Sequence, residues 1–194
     1  MLRTIILERA EPLRESAEIF IGKTYAGWYG ACLHSFPARI VALVDECDEI
    51  LCAAGLRFED DGFFSESYLD TPVEDTLSAF SERRVERSEV FEVTTLASRA
   101  PRATAGFISG IGAFGEKSGF AWSFFTLTHR LHRMVERMGI ALQPLGEADF
   151  RRIADHERWG TYYQTQPKVY AGASARLAVL RPHYQPDQVH AHAV

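Results

Sequence analysis

Residues 90–127 read VFEVTTLASRAPRATAGFISGIGAFGEKSGFAWSFFTL, and the punctuation of this stretch decides the fold class. Its opening, 90–96, is rich in β-branched residues and reads as a strand. A loop over 97–102 follows, then apolar residues spaced for a helix over about 103–117, which Gly119 stops. Residues 120–127 form a second, strongly aromatic strand. A strand–helix–strand unit of this length predicts two parallel strands joined by a right-handed crossover. Phe120, Trp122 and Phe124 alternate with Ala121, Ser123 and Phe125, so the bulkier set is expected under a helix. The pattern leaves open whether Ser123 and Thr126 face a cleft.

Working outward, residues 4–8 read as a strand and 14–29 as an amphipathic helix, with Ala17, Phe20, Ile21, Thr24 and Trp28 at helical spacing. Two apolar runs, 38–44 and 50–58, flank the acidic turn 45–49 and predict a β-hairpin. After a loop over 59–71, Thr71, Pro72 and Glu74 have the spacing of a capping box at a helix start. Thr128 is placed to cap a helix over 129–137 that Gly139 ends, and 140–145 reads as a sixth strand. Beyond Glu147 the signals weaken, although 159–163 is too aromatic for a linker. From about Pro182 the chain, with His190 and His192, reads as a loose tail. Without repeats or a boundary, 1–181 is expected to be one α/β (α+β) domain. Its mixed, mostly antiparallel sheet is expected to carry helices on both faces.

The 194 residues are 46% hydrophobic and 12% aromatic, enough for a proper core. A net charge of −5 argues against nucleic acid as the partner. The charge reverses locally. Between residues 99 and 137 six basic side chains stand against two acidic ones, a net of +4. Such a segment suits a small anionic ligand or an acidic protein, or is simply a set of solvated helix faces. Cys32, Cys47 and Cys52 form no disulfide framework and, with no fourth ligand beside His34, no zinc site; buried, reduced thiols and no metal are expected. The N-terminus is not a signal peptide and no run reaches the roughly 18 apolar residues that span a bilayer, so a cytoplasmic protein without stable membrane insertion is expected.

Several blocks in order carry a resemblance. They are Phe64-Ser-Glu-Ser-Tyr-Leu-Asp70 with Pro72 and Glu74, Glu92-Val-Thr-Thr-Leu-Ala97, Phe125-Thr-Leu-Thr128 before Arg137-Met-Gly139, and Trp159-Gly-Thr-Tyr-Tyr163 with Pro167 and Gly172. Over roughly residues 15–175 the chain thereby resembles the thermostable hemolysin family, which is similar to GNAT acyltransferases and more remotely to acyl-homoserine-lactone synthases. It departs from the family pattern at Thr94-Thr95, where Gly-Asn is usual, and at Val135, where an aromatic is usual. The family name suggests membrane lysis, but the sequence has no long amphipathic insertion helix.

The resemblance implies an N-acyltransferase whose fourth and fifth strands splay around a phosphopantetheine thioester. Backbone N–H groups around Thr95, Leu96 and Ala97 would hold the arm and the developing oxyanion. Before the next helix the chain reads Arg99-Ala-Pro-Arg-Ala-Thr-Ala-Gly106 and lacks the early glycines that cradle a pyrophosphate. Arg99, Arg102, Ala103 and Thr104 therefore suit the single phosphate of an acyl-carrier protein better than coenzyme A. Glu92, a lone carboxylate mid-strand between Phe91 and Val93, is the expected general base for a small amine acceptor, or the group that orients that amine. Glu66 and Asp70, beside Tyr68, form a second acidic cluster for a cationic acceptor, and Arg57 is a candidate anchor for an acceptor carboxylate. Thr94, Thr126 and Trp159 complete the expected substrate site. With Val135 where relatives carry a tyrosine acid, His129, His132, Tyr162 and Tyr163 are the alternatives. Two further readings accompany this one: an acyl-homoserine-lactone-like synthase that also needs S-adenosylmethionine, and a non-catalytic domain binding a lipid or protein.

Overall fold

A computed structural model of the chain describes residues 1–81 and 83–174; the expected tail, with His190 and His192, lies outside them. The strands are β1 (Arg3–Leu7), β2 (Arg39–Val44), β3 (Ile50–Arg57), β4 (Val90–Ser98), β5 (Trp122–Leu127), β6 (Leu142–Glu147) and β7 (Lys168–Ala173). The helices are α1 (Arg14–Tyr29), α2 (Val73–Phe80), α3 (Pro101–Lys117) and α4 (His129–Arg137). One sheet runs in the order β1-β2-β3-β4-β5-β7-β6. Every neighbouring pair is antiparallel except β4 and β5.

Strand alternation sorts the core into two layers. Ile40, Ala42, Val44 and Ala53 point to one face and pack on Ala17, Ile21 and Tyr25 of α1. On the same face Val90, Trp122 and Phe124 pack on Val73 and Leu77 of α2. Val41, Leu43, Ala54 and Phe91 point the other way, onto Phe107 and Ile111 of α3. There α4 joins through the His132 ring stacked on Tyr170. A buried Arg14 ties α1 to the sheet edge, donating to the carbonyls of Leu7, Pro37 and Ala38 at 3.2, 2.5 and 2.6 Å.

Three expectations need correction. A seventh strand, β7, lies between β5 and the predicted sixth, which it displaces to the edge; the Pro and Gly of β6 suit an edge position. Thr71 does not cap α2. Its hydroxyl meets Thr76, and the carboxylate of Glu66, from the preceding loop, accepts from Val73 N–H at 2.9 Å instead. Finally, Cys32 and Cys47 are exposed; Cys52 alone is a buried thiol.

Candidate active site

The parallel pairing of β4 and β5 stops at Val93 and Phe125. β5 continues to Leu127 against β7, while residues 94–98 of β4 keep β3 on one side and, among the described residues, have no strand partner on the other. The parting coincides with a β-bulge, in which Thr95 and Leu96 oppose Ala54 alone between the pairs Ala53–Ala97 and Gly55–Thr94. Thr95 takes φ 47°, in the left-handed region that a β-branched residue seldom occupies. Across the bulge Gly55 leaves no room for a side chain: a Cβ there would sit 2.5 Å from Thr94 Oγ1 and 2.6 Å from Pro37 Cγ. Gly55→Ala is therefore expected to destabilise the fold by about 1–3 kcal/mol, measured by denaturant unfolding.

A cavity of about 1090 Å³ opens at the parting and reaches both layers. One end lies between α3 and α4, against Ile108, Gly112, Met134 and Val135; the other is walled by Tyr25, Tyr29, Phe64, Trp159 and Tyr162. Those rings brace one another, with Phe64 5.4 Å from Trp159 and Tyr29 5.3 Å from Tyr162. The hydroxyls of Thr94 and Thr95 are buried without a hydrogen-bond partner among the described residues. Both residues line the cavity.

Glu92 sits behind this wall. Fully buried, it accepts from Phe64 N–H at 2.6 Å and Ser65 N–H at 2.7 Å, one on each carboxylate oxygen. Burial pushes its carboxyl up to about 7, against the opposing pull of Ser65, the two amides and Arg57. Glu92 does not line the cavity; Ser65 and Thr126 do, and their hydroxyls lie 2.8 Å apart. Ser65 thus joins the buried carboxylate to the cavity surface.

The other expected site residues divide. Thr94, Thr95, Leu96, Thr104, Thr126, His129, Trp159, Tyr162 and Tyr68 all line the cavity. The Tyr68 hydroxyl meets that of Tyr163 at 2.7 Å, and burial raises its pKa well above the ordinary tyrosine value. Ala97 is buried against α1, and Ala103 packs toward the α3 core. Arg99 pairs with Glu49 at 2.5 Å; Arg102 is exposed and, like Arg99, is absent from the cavity wall. The hydroxyl of Thr104 is engaged by the Ala100 carbonyl and by Ser98. Glu66 lies off the cavity, held below the usual carboxylate range mainly by hydrogen bonds from Arg87. Arg57 donates to the carbonyls of Asp61 and Gly62, and Asp70 pairs with Arg152. His132 packs on Tyr170 and pairs with Glu136. Sequence reasoning missed Ser65, although it stands inside the block that carried the resemblance. It also missed Tyr25 and Tyr29, whose four-residue spacing on one helix face was available. Among the described residues no group of side chains is arranged to hold a metal, and no helix is long and apolar enough to cross a membrane.

The family model for thermostable hemolysin matches residues 7–177, and the chain belongs to that family. No curated protein matches it. Among solved structures, the acyl-homoserine lactone synthase LasI aligns at a TM-score of 0.62 with 9% identity, covering 97% of this chain and 98% of its own. FeeM, an N-acyl amino acid synthase from uncultured soil microbes, gives 0.60 with 12% identity, covering 93% and 98%. BjaI, a CoA-dependent acyl-homoserine lactone synthase determined with SAM and isopentyl-CoA, gives 0.57 with 10% identity, covering 93% and 88%. At these identities the likeness is one of fold: the chain has the GNAT-like architecture expected from its sequence.

Proposed function

We propose that this member of the thermostable hemolysin family is an N-acyltransferase that moves an acyl group from a phosphopantetheine thioester to an amine. The observation that carries the reading is the parting of β4 from β5 after Val93 and Phe125, which opens a cavity through the sheet. The donor arm is a chain of amides. The unpartnered edge of residues 94–98 supplies polar partners for such an arm along an otherwise apolar passage. Preorganised donors of this kind, placed where negative charge develops on the carbonyl oxygen, are worth about 2.7–4 kcal/mol each in a transition state. The aromatic end then takes the acceptor.

The nitrogen attacks the thioester carbonyl carbon, the C–N bond forms, and the C–S bond breaks with its electron pair on sulfur. One proton must leave nitrogen, and the thiolate ends as a thiol. Glu92, poised at about 7, is the proton acceptor, and the Ser65 and Thr126 hydroxyls form the polar route to it from the cavity wall. The thiolate takes its proton from solvent, in keeping with Val135 where an acid would stand. At the mouth, Pro101 occupies the first turn of α3 and removes one N–H donor from it. That arrangement suits a donor with one phosphate, carried by a protein in specialised metabolism, over coenzyme A with its pyrophosphate. Mass-spectrometric assays with octanoyl-loaded acyl-carrier protein, octanoyl-coenzyme A and octanoyl-pantetheine, each with a mixed amine pool, test this. Amide is expected from the carrier-bound and pantetheine donors; reaction with coenzyme A alone would reverse the donor preference, and no amide from any donor would remove the activity.

A further inference from the structure

Resting on that reading, we propose that the outward face of α4 is the docking surface for the acidic carrier protein that delivers the donor. Leu131, Met134 and Val135 of this helix line the cavity. Arg130, Arg133 and Arg137, spaced by three and four residues, form a stripe on the side turned to solvent. All three are exposed, and none has an ion-pair partner within 4 Å among the described residues.

Several arginines elsewhere are neutralised, Arg87 by Glu66 and Glu74 and Arg39 by Glu8, Asp60 and Asp61. On α4 the one carboxylate, Glu136, is turned to His132. Like charges stacked along one helix face repel, and Arg130 in the first turn opposes the helix dipole, which Arg137 in the last turn complements. The stripe therefore carries a cost that a negatively charged partner would offset. Its inner end meets the cavity, since Arg130 itself lines it, one turn from Met134 at the end between α3 and α4. A partner seated on Arg133 and Arg137 would have its prosthetic arm at the cavity mouth. The occupant is an acidic protein helix; a nucleic acid would meet a chain whose net charge is −5.

The test uses Arg133→Glu/Arg137→Glu, which leaves the cavity wall intact. With octanoyl-loaded carrier protein, kcat/KM is expected to fall roughly 10- to 100-fold, while with octanoyl-pantetheine it stays unchanged. The wild-type reaction with the carrier should also weaken steeply between about 50 and 300 mM salt, and the pantetheine reaction should not. A titration of fluorescent carrier protein with the intact chain reads docking without turnover, and the variant should bind at least about 10-fold more weakly. Equal loss with both donors would overturn the proposal, as would unchanged carrier binding. Arginine-dependent binding to phosphatidylglycerol vesicles without carrier binding would assign the stripe to a membrane instead. Should the wild type form no amide from any donor while the carrier still docks through these arginines, the transferase reading falls and the docking surface stands.

Discussion

Glu92→Gln is expected to slow amide formation by about 10²–10⁴-fold, the usual span for removing a positioned proton acceptor. Glutamine keeps the size of the side chain but cannot take a proton, and its NH₂ group must face one of the two N–H donors, Phe64 or Ser65, that now meet a carboxylate oxygen. The pH dependence separates the chemical role from the structural one. In the wild type, kcat/KM should rise with pH through about 7 as the carboxyl ionises, and the variant's residual rate should lose that limb. Stability should move the opposite way. The carboxyl titrates near 7 in the fold against an ordinary 4.5, so between those values the folded chain holds a proton that the unfolded chain has lost. This contribution is complete below 4.5 and gone above 7, a loss on the order of 3 kcal/mol. Denaturant unfolding from pH 4.5 to 8 should show the decline in the wild type and a flatter profile in Glu92→Gln. A variant that keeps full turnover would remove Glu92 from the reaction.

Gly112→Trp is the second large effect expected, and it acts on the passage alone. Gly112 lies inside α3 on the cavity wall, and an added Cβ meets no atom within 4 Å. A tryptophan can therefore grow into the cavity without moving the helix. Replacing a helical glycine contributes up to about 1 kcal/mol toward stability. Transfer should nevertheless drop about 100-fold or more, because displacing a reacting group by an ångström already costs that much. Gly112→Ala, with a larger helical gain and little bulk, should retain activity. Parallel measurements of amide yield and thermal midpoint distinguish a blocked passage from a damaged fold; an active, folded Gly112→Trp would mean that the donor does not run between α3 and α4.

Most of the scaffold was legible because its signals are local. The acidic turn between β2 and β3, Thr128 before α4 and Gly139 after it each mark an element by themselves. β7 was not, since Lys-Val-Tyr-Ala-Gly-Ala is a strand only by virtue of pairing with β5 on one side and β6 on the other. The site divides along the same line. Glu92 stood out as a lone carboxylate on an apolar strand, but the amides of Phe64 and Ser65 that clamp it carry no residue signature. The Arg99 side chain stood out as a cation near a helix start, yet its partner Glu49 comes from a hairpin turn 50 positions earlier. Glu66 drew notice for its charge, while its place as the cap of α2 depends on how the loop folds back.

Hydrogen–deuterium exchange across β4, with and without a non-transferable octanoyl-pantetheine whose thioester is replaced by an amide, tests the open seam most directly. The β5-side amides of residues 94–98 should become protected when the analogue binds, while those already paired to β3 should change little. Binding that leaves that edge exchanging as before would contradict the placement of the donor between β4 and β5.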